Sequence, residues 1–347
     1  MTALDPALAA RLLRRFDFNR APLGPSSRGE GYKEWLYFGV GSASLDIVVV
    51  FATTDGPRRR PVPRVCRLLL FVRDEGGWRG WVERSTAARG RLPGGDLGAF
   101  VHRSRVTPEA GGFRLDLAPR DAPIRGTLLL EPRSLPVPLH QRPAANAPAM
   151  SWVVVPRLRA SGVVEVEGTR HEIPGAPAYH DHNWGTFDFG HDFTWEWGYS
   201  LFEERAPWSF VMVRFADATR SRALEQTLFL WRGPKQARVL TDRSLTVRRQ
   251  GRLRPDRLPK VPGSLRLLVP GNATDVPERF EVEGALGADR VEMSFVSEQV
   301  LQLLVPDAGG FGVSRIHEVA GRVTLVGQVR GEPFRQEGRG VFEFLAT

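Results

Sequence analysis

The sequence predicts an all-β protein made of two copies of one antiparallel unit. Three observations lead there. Apolar or alternating runs of strand length recur along the whole chain. Glycine, proline, aspartate and asparagine turn signals separate them at short spacing. Several of the runs then return in the second half at a nearly constant offset.

In chain order the first half carries "LDIVVVF" (45–51), "RLLLFV" (67–72), "FRLDL" (113–117), "GTLLLE" (126–131), "SWVVVP" (151–156) and "GVVEVEG" (162–168). The second half carries "WSFVMVRF" (208–215), "QTLFLW" (226–231), "SLTVRR" (244–249), "SLRLLV" (264–269), "RVEMSFV" (290–296), "RVTLVG" (322–327) and "GVFEFL" (340–345). Helix-length amphipathic patterning occurs only at the start, where "MTALDPALAARLLRRFDF" predicts a short helix packed on the body. Its Asp5 and internal arginines make it a poor signal peptide.

The repeat rests on four ordered matches. "EWLY" (34–37) returns as "EWGY" (196–199), "DIVVVF" (46–51) as "FVMVRF" (210–215), and "SGVVEVEG" (161–168) as "AGRVTLVG" (320–327). Each half then closes on an alternating strand carrying an acid, Tyr179-His180-Asp181-His182 and Val341-Phe342-Glu343-Phe344. The expected organisation is an N-terminal helix or arm over 1–20, a first β-unit over 21–188 and a second over 189–347, joined near 185–192. The proline- and alanine-rich stretch 133–150 is expected to be a loop inside the first copy.

Composition narrows the function classes. The 347 residues are ample for a buried core, and 42% hydrophobic with 25% charged residues is typical of a soluble globular chain. A single cysteine, Cys66, excludes an internal disulfide and a cysteine-based zinc cage. The net charge is +9, yet of 48 basic residues only three are lysine (Lys33, Lys235, Lys260) and the arginines are scattered. No basic run longer than 58–60 and no nucleic-acid-binding motif is present. The charge fits either a solvated positive surface or weak attraction to anionic lipid. No apolar run reaches the ~20 residues of a spanning helix. The glycine-rich "GVGSAS" (39–44) lacks a following helix and is no phosphate cradle, and GxSxG is absent.

The unusual stretch is "AYHDHNWGTFDFGHDFTWEWGYS" (178–200), which holds three of seven histidines and three of nine tryptophans. On a strand, Tyr179, Asp181 and Asn183 share one face, and His180, His182 and Trp184 the other. Three readings remain open. His180, His182 and His191 could begin a metal site. The polar side chains could instead be a structural clasp. Or Asp181, its pKa raised by burial, could be a general acid among indoles able to stabilise a cation. Recurrence of Glu34-Trp35-x-Tyr37 as Glu196-Trp197-x-Tyr199 favours shared architecture over pocket lining. His102, His140 and His317 stand apart and read as surface or satisfied histidines.

"EWLYF", "GVVEVEGTRHEIPGAPAYHDHNWG" and "WEWGYS" resemble the carotenoid 1,2-hydratase (hydroxyneurosporene synthase) family, one of the tandem lipocalin-like (AttH/CrtC-like) proteins. The heptad Tyr179–Gly185 is its most specific part, and the resemblance runs from about Tyr32 to the C-terminus. One departure is Met150, at a position where members carry a histidine two residues before Trp152. The resemblance implies two lipocalin-like antiparallel β-barrels packed side by side. It also implies a hydro-lyase without metal or cofactor, adding water to the terminal C=C of an acyclic carotenoid or similar isoprenoid.

On that reading Asp181 gives the proton, Tyr179 is bonded to it, and His180 or His182 positions water. Trp184, Trp195 and Trp197 shelter the cation, and Trp35, Tyr37, Trp152 and Tyr199 line the substrate site. A barrel interior or the cleft between the copies is the expected place for it. The same fold group contains pericyclases and non-catalytic carriers of hydrophobic ligands, the two rival readings. The expected partner is a hydrophobic small molecule, not nucleic acid, and the expected location is the cytoplasm or the periphery of the inner membrane.

Overall fold

The computed structural model describes residues 4–20, 32–54, 65–86, 90–92, 95, 97–141, 148–306 and 313–346. The expected boundary at residue 21, the basic run 58–60 and part of the stretch 133–150 lie outside these. The chain divides between Phe187 and Asp188 into two compact units, each built on its own antiparallel sheet. Among the described residues no helix is long and apolar enough to cross a membrane.

The first unit is a meander. Tyr32–Gly41, Asp46–Thr54, Val65–Asp74 and Gly77–Thr86 pair in sequence order. Gly90–Arg91, Ala99–Val101, Ser104–Glu109, Gly112–Leu117, Ile124–Pro132, Met150–Val166 and Thr169–Thr186 continue the same way. The last strand then pairs with the first, Tyr37 opposite Asp181. Among the described residues one ladder is missing from a closed ring, that between Gly77–Thr86 and Gly90–Arg91. The arrangement is that of an up-and-down barrel, in which closure protects the strand edges.

The second unit repeats this order. Thr194–Leu201, Trp208–Ala216, Ala223–Arg232 and Lys235–Thr241 pair in turn, and Leu245–Gln250, Arg279–Leu286, Asp289–Pro306, Val313–Val329 and Glu332–Ala346 follow. Again the last strand pairs with the first, and again the missing ladder lies between the fourth strand and the fifth. The units thus agree in topology, closure and gap.

Local chemistry accounts for the shared details. The last two strands of each unit are joined by a two-residue turn with both φ angles positive, Glu167-Gly168 (52°, 84°) and Arg330-Gly331 (53°, 80°). Such turns match the strand twist and favour glycine at the second position. These turns are 163 residues apart, so the match of 161–168 with 320–327 is four residues out of step. The register of Met150–Val166 against Thr169–Thr186 also carries two irregularities, between Val155 and Leu158 and between Ala160 and Gly162.

Each sheet encloses an apolar core. Phe38, Val49, Leu68, Phe113 and Val164 belong to the first; Phe210, Leu230, Phe280, Phe295 and Phe342 to the second. Phe38 and Phe113 meet edge-on at 5.3 Å, and Phe295 stacks on Phe342 at 4.3 Å. The continuous runs Asp46–Phe51 and Trp208–Ala216 are buried on both faces, so they do not alternate in polarity.

The N-terminal helix Pro6–Phe16 forms where its sequence allows. Asp5 caps it, accepting from Ala7 N at 2.9 Å and Leu8 N at 3.3 Å, with Pro6 in the first turn and Arg14 and Arg15 in the last. Leu13 enters the first core. The stretch expected as a loop contributes a strand, Val137–Gln141, paired with Met150–Val166.

Candidate functional site

The strand Thr169–Thr186 presents two polar faces, both buried. On the outer face, away from the core, Tyr179 Oη donates to Asp181 Oδ2 at 2.9 Å and Asn183 Nδ2 donates to Asp181 Oδ1 at 2.6 Å. Asp181 is 3% exposed, Tyr179 fully buried and Asn183 nearly so. Cross-strand register sets the surroundings. Asp181 lies between Tyr37 and Val154, and Asn183 between Trp35 and Trp152. Tyr37 and Tyr179 meet edge-on at 6.2 Å, and Trp35 packs against Phe187 at 6.2 Å. Asp181 thus accepts from a hydroxyl on one carboxyl oxygen and from an amide on the other, with four aromatic side chains around it.

The inner face holds a separate charge cluster. His180 bonds Tyr37 O through Nδ1 (2.9 Å) and Asp17 Oδ2 through Nε2 (3.0 Å). His182 bonds Asp17 Oδ1 through Nδ1 (2.9 Å) and Glu34 Oε1 through Nε2 (3.0 Å). Tyr32 Oη donates to Glu34 Oε2 at 3.0 Å, and the Arg20 N–H donates to Glu34 Oε1. His180 stacks on Phe38 at 4.3 Å, which puts the imidazole in the core. Burial pushes the His182 imidazole down, but the bonds and charges of Asp17 and Glu34 outweigh it and hold the pKa at about 9. Burial likewise pushes the Asp17 carboxyl up, but His180 and His182 hold it well below the usual carboxylate range.

The expected residues therefore separate. Tyr179, Asp181, Trp35, Tyr37 and Trp152 gather on the outer face. His180 and His182 face inward with every ring nitrogen bonded, so neither is placed to position water at Asp181. Their geometry is that of a clasp on the segment after the N-terminal helix. Trp184 shares the histidine face, 5.2 Å from His182 and beneath the Arg20 guanidinium, and does not flank Asp181. His191 is 88% exposed, remote in character from a three-histidine metal site. Among the described residues no three metal-ligating side chains form such a group.

Trp195, Trp197 and Tyr199 lie in the second unit, where the two tryptophans flank a different acid and Tyr199 packs on Trp197. Trp195 Nε1 donates to Glu343 Oε1, and Trp197 and Glu318 stand opposite Glu343 on the two neighbouring strands. Glu318 is buried, whereas Glu343 sits deep among protein atoms and still keeps part of its surface accessible. Burial pushes the Glu343 carboxyl up to about 7, while its bonds to Glu318 and Trp195 pull the other way. Two carboxyls in contact hold a proton between them.

Glu343 had one signal in the sequence: an acid alternating with phenylalanines in the last strand. Register anchored on the two Glu-Trp-x-Tyr motifs aligns Glu343 with Asn183 rather than with Asp181, because Trp197 faces the one as Trp35 faces the other.

The recurring glutamate is also explained. Glu196, fully buried like Glu34, points inward and pairs with Arg214 at 3.0 Å and Arg249 at 2.6 Å. His317, read as isolated, is buried in this half. It takes a bond from Gln302 Nε2 at 2.9 Å and lies 3.6 Å from Asp275. Burial drives its pKa down to about 4.

Two up-and-down antiparallel units, each with its last strand paired to its first, define a tandem lipocalin-like fold. Solved structures agree. An AttH-like protein from Nitrosomonas europaea superposes with a TM-score of 0.66 at 16% identity, over 93% of this chain and 98% of that one. Kievitone hydratase from Nectria haematococca superposes with a TM-score of 0.57 at 15% identity, over 93% and 90%. At such identities the likeness is one of fold. No family model and no curated protein sequence matches the chain.

Proposed function

We propose that the chain is a hydro-lyase that adds water across a C=C bond of a hydrophobic isoprenoid, an acyclic carotenoid in the first instance, with Asp181 as the proton donor. The observation that carries this reading is the buried Tyr179–Asp181–Asn183 triplet on an aromatic face. The heptad resemblance supports it, and so does the occurrence of a hydratase, kievitone hydratase, on the same fold.

In the proposed step the Asp181 proton goes to the less substituted alkene carbon, leaving a tertiary carbocation. Negative charge then develops on Asp181, where the Tyr179 hydroxyl and the Asn183 amide are already aimed, one at each oxygen. The faces of Trp35, Tyr37 and Trp152 supply π-density for the cation, worth about 1–2 kcal/mol when desolvated. Water adds to the cation, and the proton it loses restores Asp181. Only a proton and a water are exchanged.

The test is incubation with neurosporene or lycopene in ¹⁸O-labelled water. One labelled oxygen enters the product with the wild type and none with Asp181→Asn, which keeps its fold and its binding of the polyene. Turnover by Asp181→Asn at the wild-type rate ends the assignment. A product without label indicates a pericyclic reaction, and bound pigment without product indicates a carrier. One observation favours a second donor: the Glu343 carboxyl is poised at about 7 beside Trp195. Loss of product in Glu343→Gln but not in Asp181→Asn transfers the role to it.

A further inference from the structure

Leu267 and Leu268 are 84% and 64% exposed, the two most exposed large apolar side chains among the described residues, and they are adjacent. They end a short 3₁₀ turn, Gly263–Leu268, inside the long connection from Leu245–Gln250 to Arg279–Leu286. A connection of this length with little regular structure is uncommon unless it has a task.

This one is held in shape. Leu258, Val261 and Val276 are buried beneath it. Leu253 N donates to Val276 O at 2.9 Å, Thr274 Oγ1 to Leu253 O at 2.8 Å and Asn272 Nδ2 to Asp256 O at 2.7 Å. The Lys260 ammonium ties the far side by donating to the carbonyls of Val269 and Gly271. The leucines are therefore presented by an anchored support rather than left over by a loose one.

Charge surrounds them unevenly. Between residues 251 and 272 the exposed ionised groups are Arg252, Arg254, Arg257 and Arg266 against Asp256 alone. The next acid, Asp275, is engaged by Arg220. A pair of exposed leucines on a connection whose exposed ionised groups are mostly arginine fits the boundary between anionic headgroups and acyl chains. A neutral apolar partner would leave the arginines without counter-charge.

We infer that the 251–272 connection is a docking surface for an anionic lipid bilayer, with Leu267 and Leu268 entering the interface and the four arginines on the headgroups. The inference stands apart from the reading of Asp181 and needs no turnover to be tested.

The experiment is co-sedimentation of the full chain with vesicles of phosphatidylglycerol and phosphatidylcholine (about 1:2), and with phosphatidylcholine alone, across a salt series. The wild type is expected to bind the anionic vesicles, more weakly as salt rises. Leu267→Glu/Leu268→Glu lowers the partition about tenfold or more, and each Arg→Gln at 254, 257 or 266 lowers it about fivefold. All these side chains point to solvent, so unchanged circular dichroism is expected. Absence of vesicle binding at low salt overturns the inference, as does binding that survives the double leucine substitution. Self-association abolished by that substitution, without vesicle binding, makes the surface a contact between copies and also overturns it.

Discussion

Asp17→Asn gives the sharpest test of the inward-facing cluster. Its carboxylate accepts from His180 and His182 with no solvent to replace it, and His182 is shared with Glu34. His182 stands at about 9 against an ordinary 6.5. A difference of about 2.5 units corresponds to about 3 kcal/mol of folding free energy. The folded pKa is the higher one, so this stabilisation is complete below about pH 6.5 and is lost as pH rises through 9. Asp17 is shifted the other way, and its contribution is present above the ordinary aspartate range and lost well below it.

Urea unfolding at pH 6.0 and pH 9.5, followed by circular dichroism, should therefore show the wild type losing about 3 kcal/mol at the higher pH. Arg20, Tyr32 and His180 are the other polar groups facing this pair. Asp17→Asn should be less stable at pH 6.0, with most of the pH slope gone. His182→Gln should flatten the slope in the same way. A wild type equally stable at both pH values refutes the reasoning, and so does an Asp17→Asn variant that keeps the full slope.

Two further outcomes follow from the geometry. Glu343 carries a folded pKa raised to about 7, so it opposes folding increasingly as pH rises from about 4.5 through 7. Glu343→Gln should match the wild type near pH 5 and exceed it by about 1–3 kcal/mol at pH 8.5, measured by the same unfolding curves. Gly168 has φ +84° and open space where a Cβ would sit, so Gly168→Val suffers backbone strain alone. It should cost about 1–2 kcal/mol, seen as a lowered Tm of the first unit.

Much of the architecture was legible because strand burial has a period of two and turns have strict residue demands. The turn glycines and the paired Glu-Trp-x-Tyr motifs survive as hairpin turns and first strands, and the apolar runs as strands except 264–269, which forms a 3₁₀ turn with exposed leucines because no neighbouring strand pairs with it among the described residues. Alignment of the copies in detail did not. String comparison slid the match at 161–168 by four residues relative to the turns, and only pairing with the first strand shows that Glu343 holds Asn183's place rather than Asp181's. The division of the heptad into two faces was also readable, since alternation alone sets it. What each face meets was not.

The sequence by itself determined the class of fold, the tandem duplication, the N-terminal helix and which side of its strand Asp181 occupies. These depend on local periodicity and on short-range turn and capping chemistry. Tertiary structure decided that His180 and His182 are engaged by Asp17, far from them in the chain, and that Glu318 and Trp195 meet at Glu343. It also decided that Leu267 and Leu268 stay outside while their neighbours are buried. Each of these turns on contacts between residues far apart in the chain or on a burial pattern set by the whole unit, and no local pattern records them.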